Sequence, residues 1–593
     1  MSIKLLPLLK ATFGFDDFRG MQAAVLDRVM AGKNTLAVMP TGAGKSLTYQ
    51  LPSISLPGTV IVISPLIALM HDQLRSAEGV GIRAATLTSV DVNRAETVTR
   101  LLAGELDLLY VAPERASQSG FRDLIAQVPL ALFAIDEAHC VSEWGHDFRP
   151  DYRLLRPLLD HFADTPRLAL TATADEHTRA DILAQLGIEQ EGLIVAGFDR
   201  PNIHYAVQPR AGLKGQLHDL VRRIPGPGII YAQTRDATER IAAGLAASGR
   251  TARIYHAGLS PEQRAANQAA FVASEDMVMV ATIAFGMGID KPDVRFVAHA
   301  GLPKSIEAYY QETGRAGRDG DPAEAMLFWG AEDFSRARRR LAEVPDNRRT
   351  GDRVRLNALA ALVETAECRR AILLRHFGEN PAAECGNCDN CLCKPESVDA
   401  SVLAQKLLSA VYRTGQSYGL THLSAVLAGK DDERVRARGH DKLSVFGIVD
   451  AAELALLKPL ARNLTANDVL AETEHGGLAL GPASRNILNG SQLISLLLPA
   501  KVERRGRGSA RGVPRGNSLN PVGNLLFDDL RTTRRELAAE AGVPPYVIFH
   551  DSVLRDMAAL RPATRAALAE LPGVGVRKLE AWGDAFLAVI RAH

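Results

Sequence analysis

Three scarcities set the first limits on this chain. No run of about 18 apolar residues occurs, so no membrane-spanning helix is expected. Cysteine is rare: the 593 residues include six, and five of them fall between positions 368 and 393. That clustering disfavours a disulfide framework and favours a local metal site. Excess charge is missing too, with 69 basic against 68 acidic residues and a net charge of +1. Any contact with a polyanion must therefore come from local patches. The opening stretch MSIKLLPLLKATFGF has no small-residue cleavage site, so a cytoplasmic location is expected.

What is present reads as globular protein, with 47% hydrophobic and 23% charged residues, and the length implies several domains. From 1 to 343, short apolar runs alternate with amphipathic stretches. Strands are expected at Thr35–Met39, Val60–Ser64, Leu106–Val111, Leu130–Ile135 and Leu168–Thr171, then at Gly228–Tyr231, Ala252–Tyr255, Met277–Ala281 and Arg295–His299. Two such series predict two α/β lobes with parallel sheets, at 1–205 and 206–343, and a hinge near Tyr205–Leu213. Residues 344–395 carry the cysteines, and 396–500 read as short helices with a small β element near the end. A basic, Gly/Arg-rich flexible linker (501–520) follows, then a compact helical segment (521–593).

In the first lobe, Met39-Pro40-Thr41-Gly42-Ala43-Gly44-Lys45-Ser46 follows a strand and opens a helix. Gly42 and Gly44 let backbone N–H groups, with those of Thr41 and Ala43, approach a polyphosphate. Lys45 would reach the β- and γ-phosphates of ATP, and the Ser46 hydroxyl would ligate Mg²⁺. Met39 stands where the full pattern has glycine. About ninety residues on, an apolar strand ends in Asp136-Glu137-Ala138-His139. Asp136 would sit beside the metal, and Glu137 would orient or deprotonate the attacking water.

The second lobe carries Gln311-Glu312-Thr313-Gly314-Arg315-Ala316-Gly317-Arg318. If helical, the stretch sets Arg315 and Arg318 on one face, from which a guanidinium could stabilise charge in phosphoryl transfer. Cys368, Cys385, Cys388 and Cys391 form C-x16-C-x2-C-x2-C, suited to a closed, structural Zn²⁺ site, with Cys393 a spare thiol or an alternative ligand.

The phosphate loop, DEAH, LTATA (170–174), ATIAFGMGID (281–290) and QETGRAGR (311–318) look like superfamily 2 helicase motifs. Further segments resemble the RecQ family over nearly the whole chain. Phe13-Gly14-Phe15 and Phe18-Arg19-Gly20-Met21-Gln22 resemble its adenine-recognition motif, which assigns Phe15, Arg19 and Gln22 to the base. The segment from Cys140 to Pro150 is similar to its aromatic-rich loop, giving Trp144, Phe148 and Arg149 to DNA. CRR and CGNCDNC match its zinc domain and imply Cys391 as the fourth ligand. Gln405 to Leu443 resembles its winged helix, with a strand-separating hairpin at Ala471–Leu480 and His475 at the tip. LPGVGVRKL (571–579) resembles the end of its HRDC domain.

The resemblance implies two RecA-like parallel-sheet lobes, a zinc-binding domain, a winged helix and a small all-α HRDC domain. It implies an ATP-dependent DNA helicase moving 3′ to 5′ that uses ATP, Mg²⁺ and Zn²⁺, with Gln311, Gly288 and Asp290 serving the nucleotide site. It implies single-stranded and branched DNA as partners, a single-stranded-DNA-binding protein among them, no membrane, a monomeric state and a nucleoid-associated cytoplasmic location. The competing readings are an RNA helicase and a DNA-binding scaffold with an inactive motor.

Overall fold

The computed structural model describes residues 2–65, 67–88, 91, 93–142, 148–285, 291–343, 346–430, 432–473, 477–497 and 519–593. No helix among them is long and apolar enough to cross a membrane.

The first lobe is a seven-stranded parallel sheet of β1 (Thr35–Val38), β2 (Thr59–Ile63), β3 (Ala84–Leu87), β4 (Leu108–Val111), β5 (Leu130–Ile135), β6 (Arg167–Thr171) and β7 (Leu193–Val195). Their spatial order is β3-β4-β2-β5-β6-β1-β7. β1, β2, β3, β4 and β6 are buried along their whole length, so apolar residues fall on both faces rather than alternating. Separate apolar clusters cover the two faces. One includes Leu36, Ile61, Phe133 and Tyr152, the other Ala37, Val60, Leu132 and Leu168.

The second lobe has six parallel strands: β8 (Ile203–Pro209), β9 (Gly228–Tyr231), β10 (Ala252–Tyr255), β11 (Val278–Ala281), β12 (Phe296–His299) and β13 (Ala323–Trp329). Their order is β10-β11-β9-β12-β13-β8. The hinge expected near Tyr205–Leu213 is corrected here. Ile203–Pro209 is a strand paired with β13 over seven residues, so the expected boundary at 205/206 falls inside it. The lobes join instead through the short segment between β7 and β8.

β8 is an edge strand, and the cysteine-bearing module covers it. The Val207 amide donates to Asp389 Oδ2 at 2.9 Å, His204 Nδ1 meets the Asn387 carbonyl at 2.7 Å, and Arg370 donates to the Ile203 carbonyl at 2.8 Å. Masking an edge in this way removes a template for unwanted strand pairing. The next region packs its helices around Leu403, Leu407, Leu423, Val426 and Leu460. It holds two small antiparallel pairs: β14 (Ser397–Asp399) with β17 (Ser495–Leu497), and β15 (Leu470–Glu472) with β16 (Leu478–Leu480).

The last segment is helical around Leu526, Leu530, Leu554, Phe549 and Phe586. It docks on the second lobe through Arg531, Arg534 and Arg535, which converge on Glu275 at 2.6–2.9 Å, and through Arg555 on Asp321 at 2.6 Å. It also meets the first lobe where Gly575 comes against Gly14.

Candidate nucleotide and metal sites

The phosphate loop leaves the C-terminal end of β1, and Asp136 follows β5, two strands away across β6. In an open parallel sheet this edge is where ligand sites form. Gly42 and Gly44 adopt φ +87° and +73°, values that strain any other residue. A Cβ on Gly44 would also sit 2.3 Å from Gln22 Nε2 and would displace that side chain. That amide donates to the Ala43 and Gly44 carbonyls at 3.0 and 3.2 Å, while Gln22 Oε1 accepts from the Arg19 amide at 2.9 Å. Gln22, expected to read the base, is thus engaged by the phosphate loop itself. Phe15 is 42% exposed, with the Arg19 guanidinium 5.7 Å from its ring centre. Thr41, Ala43, Lys45 and Ser46 are half-buried.

Lys45 Nζ donates to the Met39 carbonyl at 3.1 Å. Burial lowers its pKa, opposed by Glu137 and Asp136 and reinforced by Arg318. Asp136 is pushed up to about 6, first by burial and then by the like charge of Glu137, with Lys45 pulling the other way. Two carboxylates and one ammonium therefore act on one another's charge in this pocket. Their backbone is firmly held: the Asp136 amide donates to the Ile63 carbonyl at 2.9 Å, and the Tyr152 hydroxyl donates to the Asp136 carbonyl at 2.8 Å. Glu137 has φ +48°, a left-handed conformation uncommon away from glycine. It bends the chain sharply off β5, and its amide donates to Asp136 Oδ1 at 3.0 Å. His139 Nδ1 lies 3.0 Å from Thr171 Oγ1, tying DEAH to LTATA.

The second lobe closes over this site. Gln311, half-buried, lies in the last turn of the helix Ile306–Thr313. The two arginines do not share a helical face as expected, because the helix stops at Gly314 and residues 314–319 form turns. Arg315 is 5% exposed and sits against Tyr231, whose phenol burial pushes to about 12. Arg318 goes the other way: a Cβ built on Gly42 would lie 3.5 Å from Arg318 Cγ. The structure thus brings Lys45, Asp136, Glu137 and Arg318 together and leaves Arg315 in the core of the second lobe. Gly288 and Asp290 lie outside the described residues.

Sequence reasoning missed Arg200. Its guanidinium donates to the Thr41, Gly314, Ala316 and Gly317 carbonyls, at 3.2, 3.0, 2.9 and 3.0 Å. The one local signal was an arginine beside the proline that opens the second lobe, and that signal is weak.

Of the expected DNA contacts, Trp144 and His475 lie outside the described residues. The Arg153 guanidinium lies 5.3 Å from the Phe148 ring centre. Arg149 Nη1 donates to the Pro65 carbonyl at 2.9 Å, which anchors this loop beside the end of β2. The expected hairpin is present as β15 and β16, in register Leu470↔Leu480 and Glu472↔Leu478.

The sulfurs of Cys368, Cys385, Cys388 and Cys391 all lie within 4.8 Å of one another, with 388–368 at 3.9 Å and 385–391 at 4.0 Å. A tetrahedral Zn²⁺ with bonds of about 2.3 Å needs sulfur–sulfur edges of about 3.8 Å, so the set fits that ion closely. Backbone amides of Ala371 and Asn387 point at Cys368 and Cys385 sulfurs at 3.4 Å each, as thiolates require. Cys393 is exposed and stands apart from the cluster.

Comparison with known proteins follows the same order along the chain. Family profiles match for the DEAD/DEAH box helicase (residues 19–182), the helicase conserved C-terminal domain (214–320), RecQ zinc-binding (331–392), the RQC domain (394–505) and the HRDC domain (524–590). The zinc-binding match and the four-cysteine cluster together support Zn²⁺ as a resident metal. The chain is 40% identical to the ATP-dependent DNA helicase RecQ of Pasteurella multocida, over 99% of this chain and 94% of that protein. It is 40% identical to the Haemophilus influenzae protein of the same name, over 99% and 96%, and 36% identical to that of Bacillus subtilis, over 99% and 98%. At this identity over nearly the full length of each relative, the chain belongs to the RecQ family.

Proposed function

We propose that this protein is an ATP-dependent DNA helicase that unwinds duplexes with 3′ to 5′ polarity. The observation that carries the reading is Arg318, whose side chain comes from the second lobe so close to the phosphate loop that a Cβ on Gly42 would touch its Cγ at 3.5 Å. A site completed by two lobes makes hydrolysis depend on their closure and makes product release follow their opening. This is how chemistry becomes stepping along a strand.

The residues divide the work as follows. Phe15 offers its exposed ring to the base, with Arg19 and Gln22 beside it, and the amides of Thr41 to Ser46 with Lys45 hold the polyphosphate. Ser46 and Asp136 supply hard oxygen ligands, a donor set that fits Mg²⁺. When bound, that ion neutralises charge on the phosphate oxygens. Glu137, turned out of β5 by its left-handed backbone, orients the attacking water and accepts its proton. Arg318 faces the charge that develops in transfer, while Gln311 and Arg315 support the same turn, and Gly288 and Asp290 belong to the same nucleotide site.

Trp144, Phe148 and Arg149 are the groups assigned to stacking on and holding the single strand, and His475 is the one assigned to parting the duplex. DNA, single-stranded and branched, is the track. The setting is a cytoplasmic, nucleoid-associated monomer working beside a single-stranded-DNA-binding protein.

Steady-state ATPase with single-stranded DNA or RNA of equal length tests the reading. Stimulation by DNA of at least about tenfold over that by RNA is expected. Equal or greater stimulation by RNA would overturn it.

A further inference from the structure

Arg200 stands in the connection between β7 and β8, the covalent joint between the lobes. Its partners are unusual for an arginine. The neighbouring Asp199 pairs with Arg370 at 3.4 Å, and the four hydrogen bonds that the Arg200 guanidinium donates all go to backbone carbonyls. Three of these belong to the turn that delivers Arg318, at Gly314, Ala316 and Gly317, and the fourth is Thr41 in the phosphate loop. Asn202 adds bonds to the Gly317 and Asp321 carbonyls at 2.8 Å each, so the turn is held from the joint by two side chains. The fit is close: a Cβ on Gly314 would lie 3.8 Å from Thr41 Cβ and 3.0 Å from the Tyr310 carbonyl oxygen.

We infer that Arg200 is a positioning residue that couples the phosphate loop to the Gly314–Arg318 turn, and so links lobe closure to hydrolysis. Its four bonds are unequal. Three hold it to the second lobe at 2.9–3.0 Å, and one, the longest at 3.2 Å, crosses to the first. When the lobes part, the guanidinium stays with the turn and releases Thr41. When they close, it re-forms that bond and fixes the height of Arg318 above Gly42. The planar fork is essential to this role, because one nitrogen must serve acceptors in both lobes at once. A lysine keeps the charge but cannot span the four carbonyls.

The inference rests on the proposed function, and the test separates the two. ATPase of wild type, Arg200→Ala and Arg200→Lys is measured with and without single-stranded DNA, alongside affinity for a fluorescent ADP analogue. Wild type without DNA stimulation would overturn the functional reading and this inference together. With wild type stimulated, Arg200→Ala is expected to lose about tenfold in DNA-stimulated kcat, with ADP-analogue affinity changed by less than about threefold. Arg200→Lys is expected to recover little of that loss. A purely structural role would lower stimulated and unstimulated rates in proportion. An unchanged stimulation ratio in Arg200→Lys, or full recovery by it, would therefore overturn the inference even if Arg200→Ala does not fold.

Discussion

The ion pair between Glu307 and His376 gives a direct test of how the cysteine-bearing module braces the motor. Glu307 lies in the first turn of Ile306–Thr313, the helix that runs into the Gly314 turn, and it is 5% exposed. Burial alone would raise its pKa, but the hydrogen bond and charge of His376, 2.5 Å away, with smaller contributions from the Ser305 hydroxyl and the Glu307 backbone amide, outweigh that and hold it at about 2 against the usual 4.5. A shift of that size bounds the stabilisation at roughly 3 kcal/mol, and about 2 kcal/mol is expected after relaxation of the site. Because the folded pKa is depressed, the contribution is present above pH 4.5 and is lost as pH falls toward 2, and its ionic part also requires a protonated His376. By linkage, more than half of it is gone near pH ~3.

Glu307→Gln keeps the shape and removes the charge. Hydrogen exchange read by mass spectrometry over residues 306–313 should quicken by about 30-fold near pH ~5, the equivalent of about 2 kcal/mol in local opening. The gap from wild type should narrow as the comparison moves below pH 4.5. Pairing it with His376→Gln should produce no further loss, since the single variants break one contact. Exchange within about threefold of wild type, or simple addition of the two single effects, would refute the brace.

Two further outcomes follow from the sites. Lys45→Ala should reduce ATP hydrolysis by at least about 100-fold while leaving the circular dichroism spectrum unchanged; unwinding at the wild-type rate would remove Lys45 from the phosphate site. Cys388→Ala should lose the bound zinc and the protease resistance of residues 364–393, since a metal holding four thiolates contributes directly to folding; unchanged zinc content by atomic absorption would reject the tetrahedral assignment.

Strands buried on both faces were the easiest elements to read. β1, β2, β5, β9 and β11 are short apolar runs, and each sequence expectation overlaps the observed strand. The strands that escaped have physical reasons to do so. β3 and β7 are edge strands, and β7 has only three residues. β8 ends in Gln208-Pro209, which reads as a loop, and its pairing with β13 spans more than a hundred residues of chain. β13 hides behind Glu324, a buried carboxylate made tolerable by Arg223, which grips both its oxygens at 2.5 and 2.6 Å. The same division holds in the site. Lys45, Asp136 and the cysteines were legible because loop, strand end and spacing carry local rules. The separate fates of Arg315 and Arg318 were not, because they depend on where the helix ends. Arg200 was invisible, since its importance lies wholly in contacts with chain segments more than a hundred residues distant.

The cysteine cluster and the split nucleotide site are mechanically one object, although neither contains a residue of the other. Phe377, nine residues past Cys368 and 1% exposed, stacks on Phe198 with ring centres 4.6 Å apart and tilts against Tyr310 at 4.9 Å. Phe198 belongs to the joint between the lobes, and Tyr310 to the helix that delivers Arg318; the Tyr310 hydroxyl donates to the Phe198 carbonyl at 2.7 Å. His376 holds the other end of that helix through Glu307, and Arg370 holds the start of β8. The module therefore grips the joint, the helix that leads into the Arg318 turn and the first strand of the second lobe at once. A tetrahedral metal makes such a grip stiff where four short chain segments could not. This accounts for a closed metal site, with no open coordination position, at this place in the chain: it stiffens the module that ties the joint between the lobes to the helix leading into the Arg318 turn.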